Sequence, residues 1–157
     1  MLEKVWPLLE RQGLIRPHPM HSEGELEQIV YGLATGTPLD RENFATSVQK
    51  SAFVITAGSQ SALEALALGR PVLVIGHTGQ INLCPVPASY EGKMFRMVYI
   101  EDQIRETMKE FAAFWNAEGA SNIAREMAGV VREECYPLVN EKSKAAMIQR
   151  MKELIER

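Results

Sequence analysis

The residues best suited to chemistry in this chain form a short turn, Gly58-Ser59-Gln60-Ser61, between an apolar run and a helix-forming one. Gly58 allows close backbone approach, and the amides of Ser59, Gln60 and Ser61 open a helix whose positive end suits a phosphate. The expected chemistry is a diphosphate cradle. Any helix also needs a cap, so capping by Ser59 or Ser61 is the competing role of these hydroxyls. Glu64, one turn in, is the only charge in an otherwise apolar stretch. Buried, it would need hydrogen-bonding partners; exposed or ion-paired, it would be structural. His18 is held between Pro17 and Pro19 on a stiff loop with Arg16 nearby as a phosphate partner, against the plainer role of a surface histidine. His77 follows a second apolar run and either meets a ligand or ends the strand as any polar residue would.

The elements that must position these groups are clearest over residues 52–76. Phe53-Val54-Ile55-Thr56 is a short β-branched run, and Ser61-Ala62-Leu63-Glu64-Ala65-Leu66-Ala67-Leu68 reads as a helix stopped by Gly69. Pro71-Val72-Leu73-Val74-Ile75 then makes a second apolar strand. Strands apolar on both faces need cover on both, which predicts a parallel sheet with the turn at its carboxyl edge, where such sheets place ligands. Further strands are expected near residues 14–17 and 94–100. Helices are expected over 2–12, over 22–34 behind the capping box Ser22/Glu25, from Asp40 through Val48, and from Asp102 to about Asn116. Two more, over 120–139 and 141–157, complete a helical carboxyl-terminal cover spanning 102–157. The fold class is thus α/β: one Rossmann-like three-layer domain over residues 1–157, with a mostly parallel sheet and right-handed crossovers. The loop over 77–93 carries Ile81, Leu83, Val86 and Tyr90, more apolar residues than a solvated loop requires. It is expected to pack on a ligand, a partner or a second copy, or to fold back on its own core.

Composition narrows the function classes. A 157-residue chain, 46% apolar and 24% charged, has the makeup of an ordinary globular domain able to bury one core. With 17 basic against 20 acidic side chains, a formal charge of −3 and no basic run, nucleic-acid binding is not expected. Cys84 and Cys135 lie far apart without CxxC or Cys/His spacing, which fits a reducing compartment and argues against structural zinc. No signal core and no transmembrane-length apolar window are present, so a cytoplasmic protein is expected. HExxH, paired-aspartate and GxGxxG motifs are absent, and neither a metal nor another cofactor is implied.

Arg16-Pro17-His18-Pro19, the Gly58-Ser59-Gln60-Ser61 turn, and Glu64-Ala65-Leu66-Ala67-Leu68-Gly69-Arg70-Pro71-Val72 together resemble the carboxyl-terminal, donor-nucleotide-binding half of GT-B glycosyltransferases. The pattern is nearest to capsule polysaccharide synthesis proteins and to glycerophosphotransferases of wall polymer synthesis. In those families one strand ends in a KPHP-like motif, and a later one ends in a Ser-containing turn followed by a helix reading E-A-L-x-x-G-K/R-P-V. The likeness runs over roughly residues 14–100. It implies a nucleotide-sugar donor with its diphosphate on the Ser turn and its ribose hydroxyls on Glu64. His18, as the catalytic residue, would contact the donor phosphates or stabilise the leaving group. GT-B enzymes close the donor site between two such domains, whereas this chain has room for one and opens on a helix. The expectation is therefore half an enzyme, completed by a second domain, a subunit or another copy. Two other readings are a sugar-phosphate binding or isomerising domain, with a catalytic Glu or His from a partner chain, and a noncatalytic assembly module docking through an apolar face.

Overall fold

Chain order, over the residues described by the computed structural model (13–17, 24–25, 39–79 and 84–136), is α1 (Phe44–Lys50), β1 (Val54–Thr56), α2 (Ser61–Ala67), β2 (Val72–Ile75), β3 (Phe95–Val98), α3 (Glu101–Ala113) and α4 (Ala120–Cys135). The expected helices over 2–12 and 141–157, most of that over 22–34, and His18 lie outside the described residues.

The apolar runs become strands for the reason their composition suggests. β1, β2 and β3 form a three-stranded parallel sheet in chain order, with Val54 beside Val72, Thr56 beside Val74, Val72 beside Phe95 and Ile75 beside Val98. All four β2 residues are buried, because alternate side chains meet different helical layers. Val72 and Val74 join Leu63 and Leu66 of α2 and Ala124 and Val131 of α4 in one core. Leu73, Ile75 and Val98 join Ile104, Met108 and Phe111 of α3 in the other. The described residues are thus α/β with helices on both faces of a small parallel sheet.

Close packing of α2 on α4 depends on small residues. Ala120, Ala124 and Ala128 form a buried stripe at helical spacing along α4. Gly69 meets it at the end of α2, where φ is +73° and an added Cβ would lie 3.3 Å from the Ala124 carbonyl oxygen. The Gly69 N–H donates to Leu66 at 2.8 Å and the Arg70 N–H to Ala65 at 3.0 Å. This is the paired closure of a helix ended by a left-handed glycine, as the sequence indicates.

Three expectations change, and a fourth is decided between its two readings. Residues 14–17 do not join the three-stranded ladder: Ile15 makes a single parallel bridge to Leu39, and the Asp40 N–H donates to the Ile15 carbonyl at 2.8 Å. The cap before α1 is Asn43, whose side chain accepts the Ala45 N–H at 2.9 Å, because Asp40 is engaged elsewhere. α3 starts at Glu101 with Asp102 in its first turn, and it tightens into a 3-10 turn at Phe114–Asn116. The loop after β2 folds back on its own core at the described residues: Val86 and Tyr90 are buried around a 3-10 turn, Ala88–Tyr90. The Tyr90 hydroxyl donates to the Glu134 carboxylate on α4 and lies 3.9 Å from the Cys135 sulfur. That carboxylate, with burial and Cys135, pushes the phenol well above its ordinary value. Ile81 and Leu83 fall outside the described residues. Among those described, no helix is long and apolar enough to cross a membrane.

Candidate ligand-binding edge

Parallel pairing brings the carboxyl ends of all three strands to one edge, so Thr56, His77 and Tyr99 leave the sheet on the same side. β1 runs from Thr56 directly into the glycine turn. Gly58 sits at φ +77°, a left-handed conformation that L side chains rarely adopt. An added Cβ there would stand 3.6 Å from the Cys84 backbone, in ordinary contact with the loop after β2.

Three hydroxyls meet beside this turn. Thr56 Oγ1 lies 3.3 Å from Ser59 Oγ and 3.5 Å from Ser61 Oγ, and the two serines share a hydrogen bond. Ser59 Oγ also accepts the Ser61 N–H at 3.3 Å. Gln60 has helical dihedrals and makes no side-chain cap bond, so Ser59 caps the first turn of α2 through the Ser61 N–H while its hydroxyl also meets Thr56 and Ser61. The Ser59 and Gln60 amides have no partner among the described residues. Such a cluster has no fixed polarity, since each hydroxyl can donate to a phosphate oxygen or accept from a sugar hydroxyl.

Gln60 and Glu64 point to another neighbourhood. The Gln60 side-chain amide donates to the Tyr136 hydroxyl at 3.0 Å across 76 positions of sequence. Burial pushes the Tyr136 phenol up, with Glu64 and Cys135 adding to the effect and the Gln60 bond opposing it. Glu64 is exposed, not buried under the sheet edge, because Ala62, Leu63, Ala65 and Leu66 take the inward face of α2. His77 is exposed just beyond β2. His18 lies outside the described residues, so its expected approach to this edge has no counterpart here.

No family model matches the chain, and no curated protein or solved structure matches it. Among the described residues, no group of three His, Cys, Asp or Glu gathers where a metal could sit.

Arg16 is held away from a purely ligand-binding role. Its guanidinium donates to Asp40 Oδ2 at 2.9 Å and to the Glu42 carbonyl at 2.7 Å, and lies 5.5 Å from the Phe44 ring centroid. Asp40 also accepts from Ser47 at 2.8 Å and from the Glu42 N–H at 3.0 Å. Burial pushes the Asp40 carboxyl up, but the bonds from Ser47, Glu42 and Arg16 and the Arg16 charge outweigh it and hold the carboxyl below its ordinary value. A depressed folded-state value means that the stabilisation is complete above the unfolded value of 3.8 and is lost as pH falls through the lower folded one. Asp40→Asn is therefore expected to lower stability by about 1–3 kcal/mol at neutral pH and by progressively less below pH ~4. Urea melts of both proteins across that range check this; a pH-independent difference would remove Asp40 as its source.

The residues that sequence reasoning missed are Thr56, Cys84 and Tyr136. Thr56 carried a local signal, as the one polar side chain of its run at the carboxyl end of a strand. Cys84 and Tyr136 reach the edge only through tertiary contact.

Proposed function

We propose that this edge binds the diphosphate of a nucleotide sugar, as the donor half of a glycosyltransferase-like protein of surface polysaccharide synthesis. One observation carries the reading. Two amides without a partner among the described residues, at Ser59 and Gln60, and three convergent hydroxyls, at Thr56, Ser59 and Ser61, surround a left-handed glycine at the carboxyl edge of a parallel sheet. Backbone N–H groups and hydroxyls around such a turn suit an anion without needing a cation. The resemblance over residues 14–100 supplies the nucleotide-sugar identity.

Ser59, Gln60, His77, Thr78 and Tyr99 are exposed along the edge. Glycosyl transfer requires water to be excluded and the acceptor to be aligned, so a second domain, subunit or copy must close over this shelf. The chain alone is expected to bind nucleoside diphosphates and sugar nucleotides saturably, with Ser59→Ala/Ser61→Ala weakening binding about tenfold or more. By itself it is expected to transfer no sugar. Calorimetry with a panel of nucleoside diphosphates, beside a donor-transfer assay with and without proteins encoded next to it, tests both statements. Absence of binding across the panel overturns the reading; turnover by the isolated monomer overturns the need for a partner.

A further inference from the structure

A groove of about 360 Å³ lies away from the carboxyl edge, beside the segments that lead into β1 and β2, and is lined by Gln49, Arg70, Trp115, Ser121, Arg125 and Arg132 among others. Three of these are arginines in a chain whose formal charge is −3. Ser121, Arg125 and Arg132 share one side of α4, since spacings of four and seven residues return to the same helical face.

The arginines differ in how far they are already engaged. The Arg70 guanidinium stacks 4.6 Å from the Trp115 ring centroid and donates to the Gln49 carbonyl, yet its Nε is buried with no partner. Arg132 Nε donates to the Ala128 carbonyl one turn back at 2.9 Å, leaving its terminal nitrogens without a partner among the described residues. Arg125 is exposed. Among the described residues, none of the three is ion-paired with a carboxylate. Guanidinium groups that line one groove without counter-charge repel, an arrangement that a bound anion would relieve. Guanidinium forks match phosphate oxygens in pairs, and more than one fork favours a ligand with more than one phosphate.

We propose that this groove is a binding site for a small anion carrying two or more phosphates, held by Arg125 and Arg132 with Arg70 stacked on Trp115 beside them. It is separate from the nucleotide-sugar edge and does not depend on it.

Trp115 provides a local reporter. In a full-length Trp6→Phe background it is the single tryptophan, and its fluorescence can be followed as inorganic pyrophosphate is added. A saturable change is expected, weakened by added NaCl and weakened about tenfold or more in Arg125→Gln/Arg132→Gln. Both side chains are exposed, and the one bond Arg132 makes is within its own helix, so the variant should retain its fold by circular dichroism. Arg125→Lys/Arg132→Lys, which keeps charge but loses the fork, is expected to fall between the two. No saturable change, or the same affinity in the Gln variant, overturns the proposal. A response lost in Ser59→Ala/Ser61→Ala but kept in the arginine variant would assign the anion to the carboxyl edge and also overturn it. Loss in the arginine variant alone supports it and leaves nucleotide-sugar binding a separate question.

Discussion

Gly58→Val is expected to weaken nucleoside diphosphate binding by about a hundredfold or more while leaving a folded protein. Gly58 holds φ +77°, where a β-branched residue is strained by about 1–2 kcal/mol. Relief of that strain rotates the turn and separates the amides of Ser59 and Gln60 from the hydroxyl cluster at Thr56, Ser59 and Ser61. Hydrogen bonds to a charged group contribute about 1.5–3 kcal/mol each, so losing two of them weakens binding by on the order of a hundredfold or more. Stability falls less, because a Cβ would find ordinary contact at 3.6 Å from the Cys84 backbone and meet no clash. At about 2–4 °C per kcal/mol for a chain of this size, the Tm should drop by roughly 2–8 °C. Gly58→Ala separates the two effects, since it carries the backbone strain with little added bulk, and its affinity is expected between those of glycine and valine. Unchanged affinity in a folded valine variant would remove the turn from the binding site.

Phe95→Ala is expected to cost about 3–5 kcal/mol, the largest stability effect of any single truncation proposed for this chain. Phe95 is 2% exposed, pairs with Val72 of the central strand and belongs to the core shared by α2 and α4. Truncating it removes apolar area from that core and leaves a cavity that rigid neighbours fill only in part. Folded domains have about 5–15 kcal/mol in total, so the variant should unfold at markedly lower urea concentration with its slope unchanged. Tyr99, four residues on, is 44% exposed, and Tyr99→Ala should cost under about 1 kcal/mol. Similar costs at the two positions would contradict the burial pattern of β3.

The contrast between Phe95 and Tyr99 marks how far local sequence reaches. Both lie in one apolar run, Met94-Phe95-Arg96-Met97-Val98-Tyr99-Ile100, which reads as a single strand. Pairing with β2 ends at Val98, and the chain turns into α3 with Tyr99 and Ile100 outside. Strand identity was legible at β1, β2 and β3, and helix identity at α2, because apolar continuity, β-branching and the stop at Gly69 act between near neighbours in the chain. Side-chain geometry at the turn was legible in part: the glycine and serines marked a tight turn at a strand end, but the third hydroxyl, Thr56, joined them only once β1 was drawn out beside β2.

Partnerships between distant side chains were not legible. Asp40 looks like a helix cap in sequence, yet it lies across from Arg16, 24 positions earlier, and accepts Ser47 and Glu42 as well. Glu64 in sequence is either a buried carboxylate or an exposed one, and only the packing of α2 turns it to solvent near Tyr136. Tyr90 in sequence is a loop residue that either meets a ligand or partner or folds back on the core, and nothing local names Glu134, 44 positions on, as the group its hydroxyl binds. The arginine groove needs Gln49, Arg70, Trp115 and α4 to converge. Propensity and periodicity are short-range and belong to the sequence itself, so by itself it determined an α/β chain with its turn at a strand end. Which charged or polar groups face one another depends on how the sheet orders its strands and how the helices close over it, and only the tertiary structure decided that.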